Sequence, residues 1–231
     1  MSFNNNHKIF LIGVVIFSFW LSFKNQSQPN NKVVENNFVE TIDINKFTGF
    51  ADWCNNKNNL EKSTRNTIDE LLNEVDTSDC NLASSRLLKI NYVVIFGEDN
   101  ESLDLRPFQT LTHLTSITFN HANVSDIQSL QKLDKLEYLD LGRNQITDIT
   151  PLRSLTELEE LKLGQNKIHD ISPIASLVNL KYLVLSGNNI SDITSLKNLE
   201  NIRTVYLNDN NITDETCPIK PEFKCIFFLR N

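Results

Sequence analysis

The chain has 231 residues, 40% of them hydrophobic, which is enough to bury a sizeable core. A formal charge of −7 and an isoelectric point near 5.1 argue against nucleic-acid binding, which usually needs a basic patch, and against electrostatic attachment to anionic lipid. Four cysteines suit an oxidising compartment.

Residues 1–23 read as a targeting segment. Lys8 supplies a short positive region, and Ile9 to Phe23 is an apolar run of 15 residues. That length fits a signal-peptide core and falls short of the ~20 residues of a membrane span. No convincing small-x-small cleavage site follows, so a cleaved signal peptide and an uncleaved signal-anchor both stand. The run is uniform rather than amphipathic, which disfavours a buried soluble helix. No cysteine follows it to carry a lipid. Residues 24–46, rich in Asn, Gln and Ser, read as a flexible polar linker.

From residue 47 to residue 90 the pattern is helical. Phe50, Trp53 and Cys54 fall on one turn of a short helix. Ser63 reads as the N-cap of a helix running through Val75, with Ile68, Leu71, Leu72 and Val75 on one face. Ser78 or Asp79 caps a further short helix carrying Ala83, Leu87 and Leu88.

Residues 91–214 repeat. Leu111, Leu133, Leu155, Leu177 and Leu199 are each 22 residues apart. Leu136, Leu158, Leu180 and Ile202 share a second offset; Leu139, Leu161, Leu183 and Val205 a third; Leu141, Leu163, Leu185 and Leu207 a fourth. Then come Asn144, Asn166, Asn188 and Asn210, Ile146 and its equivalents, and Asp148, Asp170, Asp192 and Asp214. Leu139 and Leu141 alternate with Tyr138 and Asp140, as in a short strand with one buried face. Asn144 sits where the chain turns, and its amide can satisfy backbone groups of adjacent coils. Thr150-Pro151 and Ser172-Pro173 read as an N-cap followed by Pro at the first helical position, and Thr194-Ser195 keeps only the cap. A degenerate first coil is expected to place Val94 and Phe96 at the strand positions, giving about six coils. Ala122 replaces the ladder Asn in the next coil, with Asn123 beside it. Atypical terminal copies are usual in such arrays.

This pattern, L-x-x-L-x-L-x-x-N-x-I with a D-I-x-P-L ending, resembles the 22-residue leucine-rich repeats of bacterial internalins. The resemblance implies an α/β solenoid: a curved leucine-rich-repeat horseshoe segment with a parallel β-sheet on the concave face, a helical N-terminal cap and a short Cys-containing C-terminal cap at residues 215–231. The cap containing Phe50, Trp53, Cys54 and Cys80 resembles that of small exported leucine-rich-repeat proteins of cyanobacteria. Internalins usually carry an immunoglobulin-like domain and a wall-attachment signal after the repeats. Neither pattern is expected here, so host invasion is not carried over.

Four cysteines allow three pairings. Local pairing is favoured because a solenoid keeps its ends apart, giving Cys54–Cys80 and Cys217–Cys225; two free, buried thiols at the C-terminal end are the bland alternative. The chain-entropy model gives such loops about 3.5 and about 2.6 kcal/mol. A metal site is disfavoured because no His lies near Cys217 and Cys225 and the two Cys pairs are far apart in sequence. Ile226, Phe227, Phe228 and Leu229 are expected to fold over the last coil as a lid.

Little points to chemistry. His7, His113, His121 and His169 occupy non-equivalent positions and form no metal pair. His169-Asp170 looks like a dyad, but the Asp belongs to the ladder. The carboxylates Asp126 to Asp214 could stack to bind calcium, yet each can instead accept N–H bonds within its own turn. No phosphate-binding, nucleophile-elbow or dinucleotide motif is found, so no catalytic residue, no metal and no cofactor is expected. The residues exposed between the buried leucines form two columns: Ser116, Tyr138, Glu160, Tyr182 and Thr204, then Thr118, Asp140, Lys162, Val184 and Tyr206. Tyr182, Val184 and Tyr206 should cluster, flanked by Tyr138, while Lys162 can pair with Asp140 and Glu160. Solvent-facing aromatics on a rigid sheet are hot-spot material, although Tyr and Val favour sheets anyway. The expectation is a monomeric, non-enzymatic binding module outside the cytoplasm (secreted, periplasmic or anchored to the outer face of the inner membrane). A protein is the expected ligand and a surface glycan the alternative. A structural envelope role without a discrete ligand and a calcium-linked surface role are the rivals.

Overall fold

The structure is a computed structural model that describes residues 42–97, 102–220 and 224–228. The targeting segment and the linker as far as residue 41 lie outside these residues, as do residues 98–101 and Leu229.

Folded structure begins ahead of Phe47. A 3-10 turn at Ile44–Lys46 is capped by Asp43, and Ile44 and Phe47 pack against the core, so the last residues of the expected linker are part of the fold. Three helices follow: α1 (Phe50–Asn55), α2 (Lys62–Glu74) and α3 (Cys80–Leu87). Phe50, Trp53 and Cys54 share the buried turn of α1, and the Phe47 ring meets Trp53 edge-on at 4.9 Å. Ser63 is not the N-cap of α2. It lies inside the first turn, Glu61 takes the cap position, and no side chain caps the helix. Tertiary bonds anchor this end instead. Buried Thr64 donates to Asp104 Oδ2 at 2.6 Å, Arg106 Nε donates to the same oxygen at 2.7 Å, and the Asp104 N–H donates to Thr67 Oγ1 at 3.0 Å. Asp79 does cap α3, accepting from the Leu82 N–H at 2.7 Å. The Cys54–Cys80 disulfide joins α1 to α3. His113 Nε2 lies 2.9 Å and 3.0 Å from the carbonyls of Leu87 and Ile90. Both partners only accept, so Nε2 carries the proton and this histidine ties the helical cap to the coil behind it.

The strands are β1 (Tyr92–Phe96), β2 (Ser116–Asn120), β3 (Tyr138–Asp140), β4 (Glu160–Lys162), β5 (Tyr182–Val184), β6 (Thr204–Tyr206) and β7 (Cys225–Ile226). They form one seven-stranded parallel sheet in sequence order. Leu139, Leu161, Leu183 and Val205 stand in register and are wholly buried. Each such side chain contributes roughly 1.5–3 kcal/mol, and only because a neighbouring coil covers it. The asparagines bridge coils as expected. Asn166 Oδ1 accepts from the Ile146 N–H at 3.0 Å, while Nδ2 donates to Leu141 O at 2.9 Å and Leu163 O at 3.0 Å. Asn188 and Asn210 repeat the pattern.

Opposite the sheet the coils return through 3-10 turns, among them Thr150–Ser154, Ser172–Ser176 and Thr194–Asn198. Thr150, Ser172 and Thr194 open these turns rather than cap them. The capping oxygen comes from the Asp two residues earlier: Asp148 Oδ1 accepts from the Thr150 N–H at 2.8 Å, Asp170 from Ser172 at 2.7 Å and Asp192 from Thr194 at 2.8 Å. Asp126 and Asp214 do the same for Gln128 and Thr216. The hydroxyl and N–H of Thr150 hold the Asp148 carboxyl below its ordinary pKa.

The first coil differs from expectation. Val93 and Ile95, not Val94 and Phe96, are the buried strand residues. Ile95 precedes Leu105 by ten residues where Phe119 precedes Ile127 by eight, so this coil is longer than its neighbours. Because strand side chains alternate, a one-residue slip inverts the face. Close packing at this junction relies on Gly97, where a Cβ would stand 2.2 Å from His121 O. At the other end, Cys217 and Cys225 are bonded and β7 extends the sheet. The aromatic lid is only partial. Phe227 packs against the core, Phe228 is 69% exposed, and the last coil is covered by buried Cys217 and Ile219.

Candidate functional site

The expected columns are in register, but Thr118 is buried rather than exposed. Ser116, Tyr138, Glu160, Tyr182 and Thr204 align strand by strand, as do Thr118, Asp140, Lys162, Val184 and Tyr206. Parallel pairing at a constant 22-residue step leaves no freedom in this, since each strand copies the register of the last. The corrected first strand adds Tyr92 and Val94 to the two columns, and Phe96 pairs with Asn120 in a third. These residues are 53%, 39% and 69% exposed. Assigning Val94 and Phe96 to the buried strand positions, one residue off, hid them, and the two extra residues of this coil shift each by one column from the 22-residue step.

In the middle of the sheet the side chains satisfy one another. Lys162 Nζ sits 2.8 Å from Glu160 Oε1 and donates to the Tyr138 hydroxyl at 2.9 Å. It lies 4.9 Å from the ring centroid, so the contact with Tyr138 is chiefly with its hydroxyl and only secondarily with the π face. Partial burial works against the charged lysine, but Glu160 and Tyr138 outweigh it and hold the Lys162 pKa above the ordinary value. Asp140 does not join this group. Its Oδ1 accepts from the Gly142 N–H at 2.9 Å and from Asn120 Nδ2 at 3.4 Å.

Towards the C-terminal end the face is different. Tyr182 is 40% exposed, and Val184 lies in register with Tyr206. Val184 and Tyr206 line a hollow of about 390 Å³ together with Gln165, Ser186, Gly187, Asn208 and Asp209; Tyr182 stands outside it and Thr204 beside Tyr182. The polar residues of the hollow follow the strand end, where sequence alternation no longer marks a face. Their only sequence signal is the column Gly142, Gly164, Ser186 and Asn208 at the repeat spacing.

The acidic ladder is occupied as turn caps, as described above. Asp170 is bound to both the N–H and the hydroxyl of Ser172, so it does not orient His169. Among the described residues no three His, Cys, Asp or Glu side chains converge on one point.

The two-copy leucine-rich-repeat family matches this chain in overlapping stretches, at residues 112–154, 134–176, 156–198 and 178–220. The crystal structure of an internalin C2 from Listeria monocytogenes superposes with a TM-score of 0.50 at 25% identity, covering 70% of this chain and 91% of that one. Residues 112–220 are leucine-rich repeats of the internalin type. Such repeats are generally non-enzymatic scaffolds that bind proteins. An internalin (inlF) of the same organism is 32% identical over 56% of this chain, with a TM-score of 0.47; the chain spans 44% of that structure's own length. A plant peptide hormone receptor, RGFR1 in complex with RGF2, shares 19% identity over 53% of this chain and 21% of its own, with a TM-score of 0.45. No curated protein matches the chain.

Proposed function

We propose that this leucine-rich-repeat array recognises a protein outside the cytoplasm through the open face of its sheet. The observation that carries the reading is the C-terminal part of that face. There Tyr182 is exposed and Val184 and Tyr206 are half-buried on a rigid, parallel scaffold, without, among the described residues, the mutual pairing that occupies Tyr138, Glu160 and Lys162. Rigid aromatics bind at low entropic cost, and a pre-formed sheet adds none of its own. Two disulfides support an extracytoplasmic setting, since such bonds persist in oxidising compartments. Among the described residues no helix is long and apolar enough to cross a membrane. The apolar run Ile9 to Phe23, signal peptide or anchor, lies outside them.

Site-specific photo-crosslinking in the cells that make the protein tests the reading. A benzophenone side chain at position 182 or 206 should yield a discrete protein adduct, and the same group at the opposite-face positions 153 or 197 should not. Tyr182→Ala combined with Tyr206→Ala should then weaken binding of the captured protein by 10-fold or more, on the order of 1.4 kcal/mol. Adducts that are absent, or equal from both faces, would point to a structural envelope role instead.

A further inference from the structure

The hollow beside Val184 and Tyr206 has a chemical bias. Ser186 Oγ donates its proton to Asn208 Oδ1 at 2.7 Å, and Asn208 Nδ2 donates to Asp209 Oδ2 at 2.7 Å. The Ser186 hydroxyl and one Asn208 N–H are thus spent inward. The charge that remains outward is negative: Asp209 Oδ1, beside the Ser186 lone pairs. Asp209 has no cationic partner among the described residues. Tyr206 supplies a π face and Val184 an apolar wall. Gly187 keeps the space open. It holds φ +69°, and a Cβ there would come within 3.2 Å of Gln165 Cγ.

An anion would meet the Asp209 carboxylate, and a neutral sugar would leave that charge without a counter-ion. A cation that is rich in donors and carries an aliphatic stem suits every element: the stem against Val184, the charge over Tyr206, the N–H groups on Asp209 and Ser186. We propose that this hollow receives an arginine or lysine side chain of the partner protein. The proposal rests on the sheet-face reading above, and the net charge of −7 favours approach of a basic partner.

The test uses the full-length protein with isotope-labelled methyl groups and amides, titrated with N-acetyl-arginine amide. Saturable shifts are expected at the Val184 methyls and the Gly187 N–H. N-acetyl-norleucine amide and a methyl N-acetylglucosaminide should leave those signals in place. Asp209→Asn should weaken the arginine probe roughly fivefold, the size of one exposed charge pair. Asn tolerates the positive φ of 57° at this position and can still accept from Asn208, so this variant keeps its fold. Absent shifts, equal shifts with norleucine, a preference for the sugar, or an unchanged Asp209→Asn variant would each overturn the proposal. Arginine binding without a sheet-face crosslink would instead retain the pocket's chemistry and remove the partner reading.

Discussion

The middle and the C-terminal third of the sheet face are built from the same repeat, yet they end in opposite chemical states. At β3 and β4 the exposed positions hold Tyr138, Glu160 and Lys162, which bind one another, and Asp140, which binds the turn. At β5 and β6 they hold Tyr182, Val184 and Tyr206, with free surface and a hollow between coils. Side chains that satisfy each other cost free energy to separate before a ligand can use them. Residue type alone therefore misjudges a binding face: a tyrosine already bonded to a lysine is a poorer anchor than one left open.

The comparison holds only if both regions rest on a common scaffold, and the largest expected effect tests that. Asn166→Ala removes a carboxamide that serves Ile146, Leu141 and Leu163 beneath the middle of the sheet. Each buried group left unsatisfied costs about 1 kcal/mol, so urea unfolding should show a loss of about 3 kcal/mol with an unchanged slope. A shallower slope would mean that the two regions unfold separately. The Cys217→Ser, Cys225→Ser double variant comes next. It should cost about 2.5 kcal/mol, with hydrogen-exchange protection lost first in β6 and β7 beside the open surface. Uniform loss across the sheet would contradict the assignment of that disulfide to one end.

The smallest effect belongs to the self-paired middle. Lys162 is about a third exposed, so Lys162→Met should cost only about 0.5 kcal/mol near neutral pH. The folded-state pKa of this lysine is raised above its reference value of 10.5. Its contribution is therefore complete below pH 10.5 and is lost as pH climbs through the higher folded value. Alkaline titration of thermal stability should show wild type and Lys162→Met converging there. Parallel curves would mean that the pairing contributes nothing.

Much of this was legible in the chain because equal coils must stack in equal register. The leucine offsets, the Asn ladder, both columns of the sheet face and the pairing of the cysteines all follow from repetition and locality. What escaped was whatever broke the period or spanned it. The first strand lies one residue off the expected assignment, which turns Val94 and Phe96 outward, and two extra residues after it shift its pairing partners. The bonds from Thr64 and Thr67 to Asp104 cross about 40 residues and leave no local mark, so Ser63 looked like the cap of α2. The turn caps lay one step off the expected positions, since an Asp carboxylate reaches the N–H two residues ahead and relieves Thr150 of that task. The hollow was invisible because Ser186, Asn208 and Asp209 sit past the alternating stretch.

His121, Arg143, Gln165, Gly187 and Asp209 follow one another at the repeat spacing, and all hold φ between 48° and 70°. Four of the five carry a side chain, and each such residue costs roughly 1 kcal/mol. The cost recurs in four of these five coils, whereas the stabilising interfaces number one fewer than the coils. An array of this design thus has a shortest viable length, and its two disulfide-bonded ends act as the missing neighbours that let so few turns stand alone.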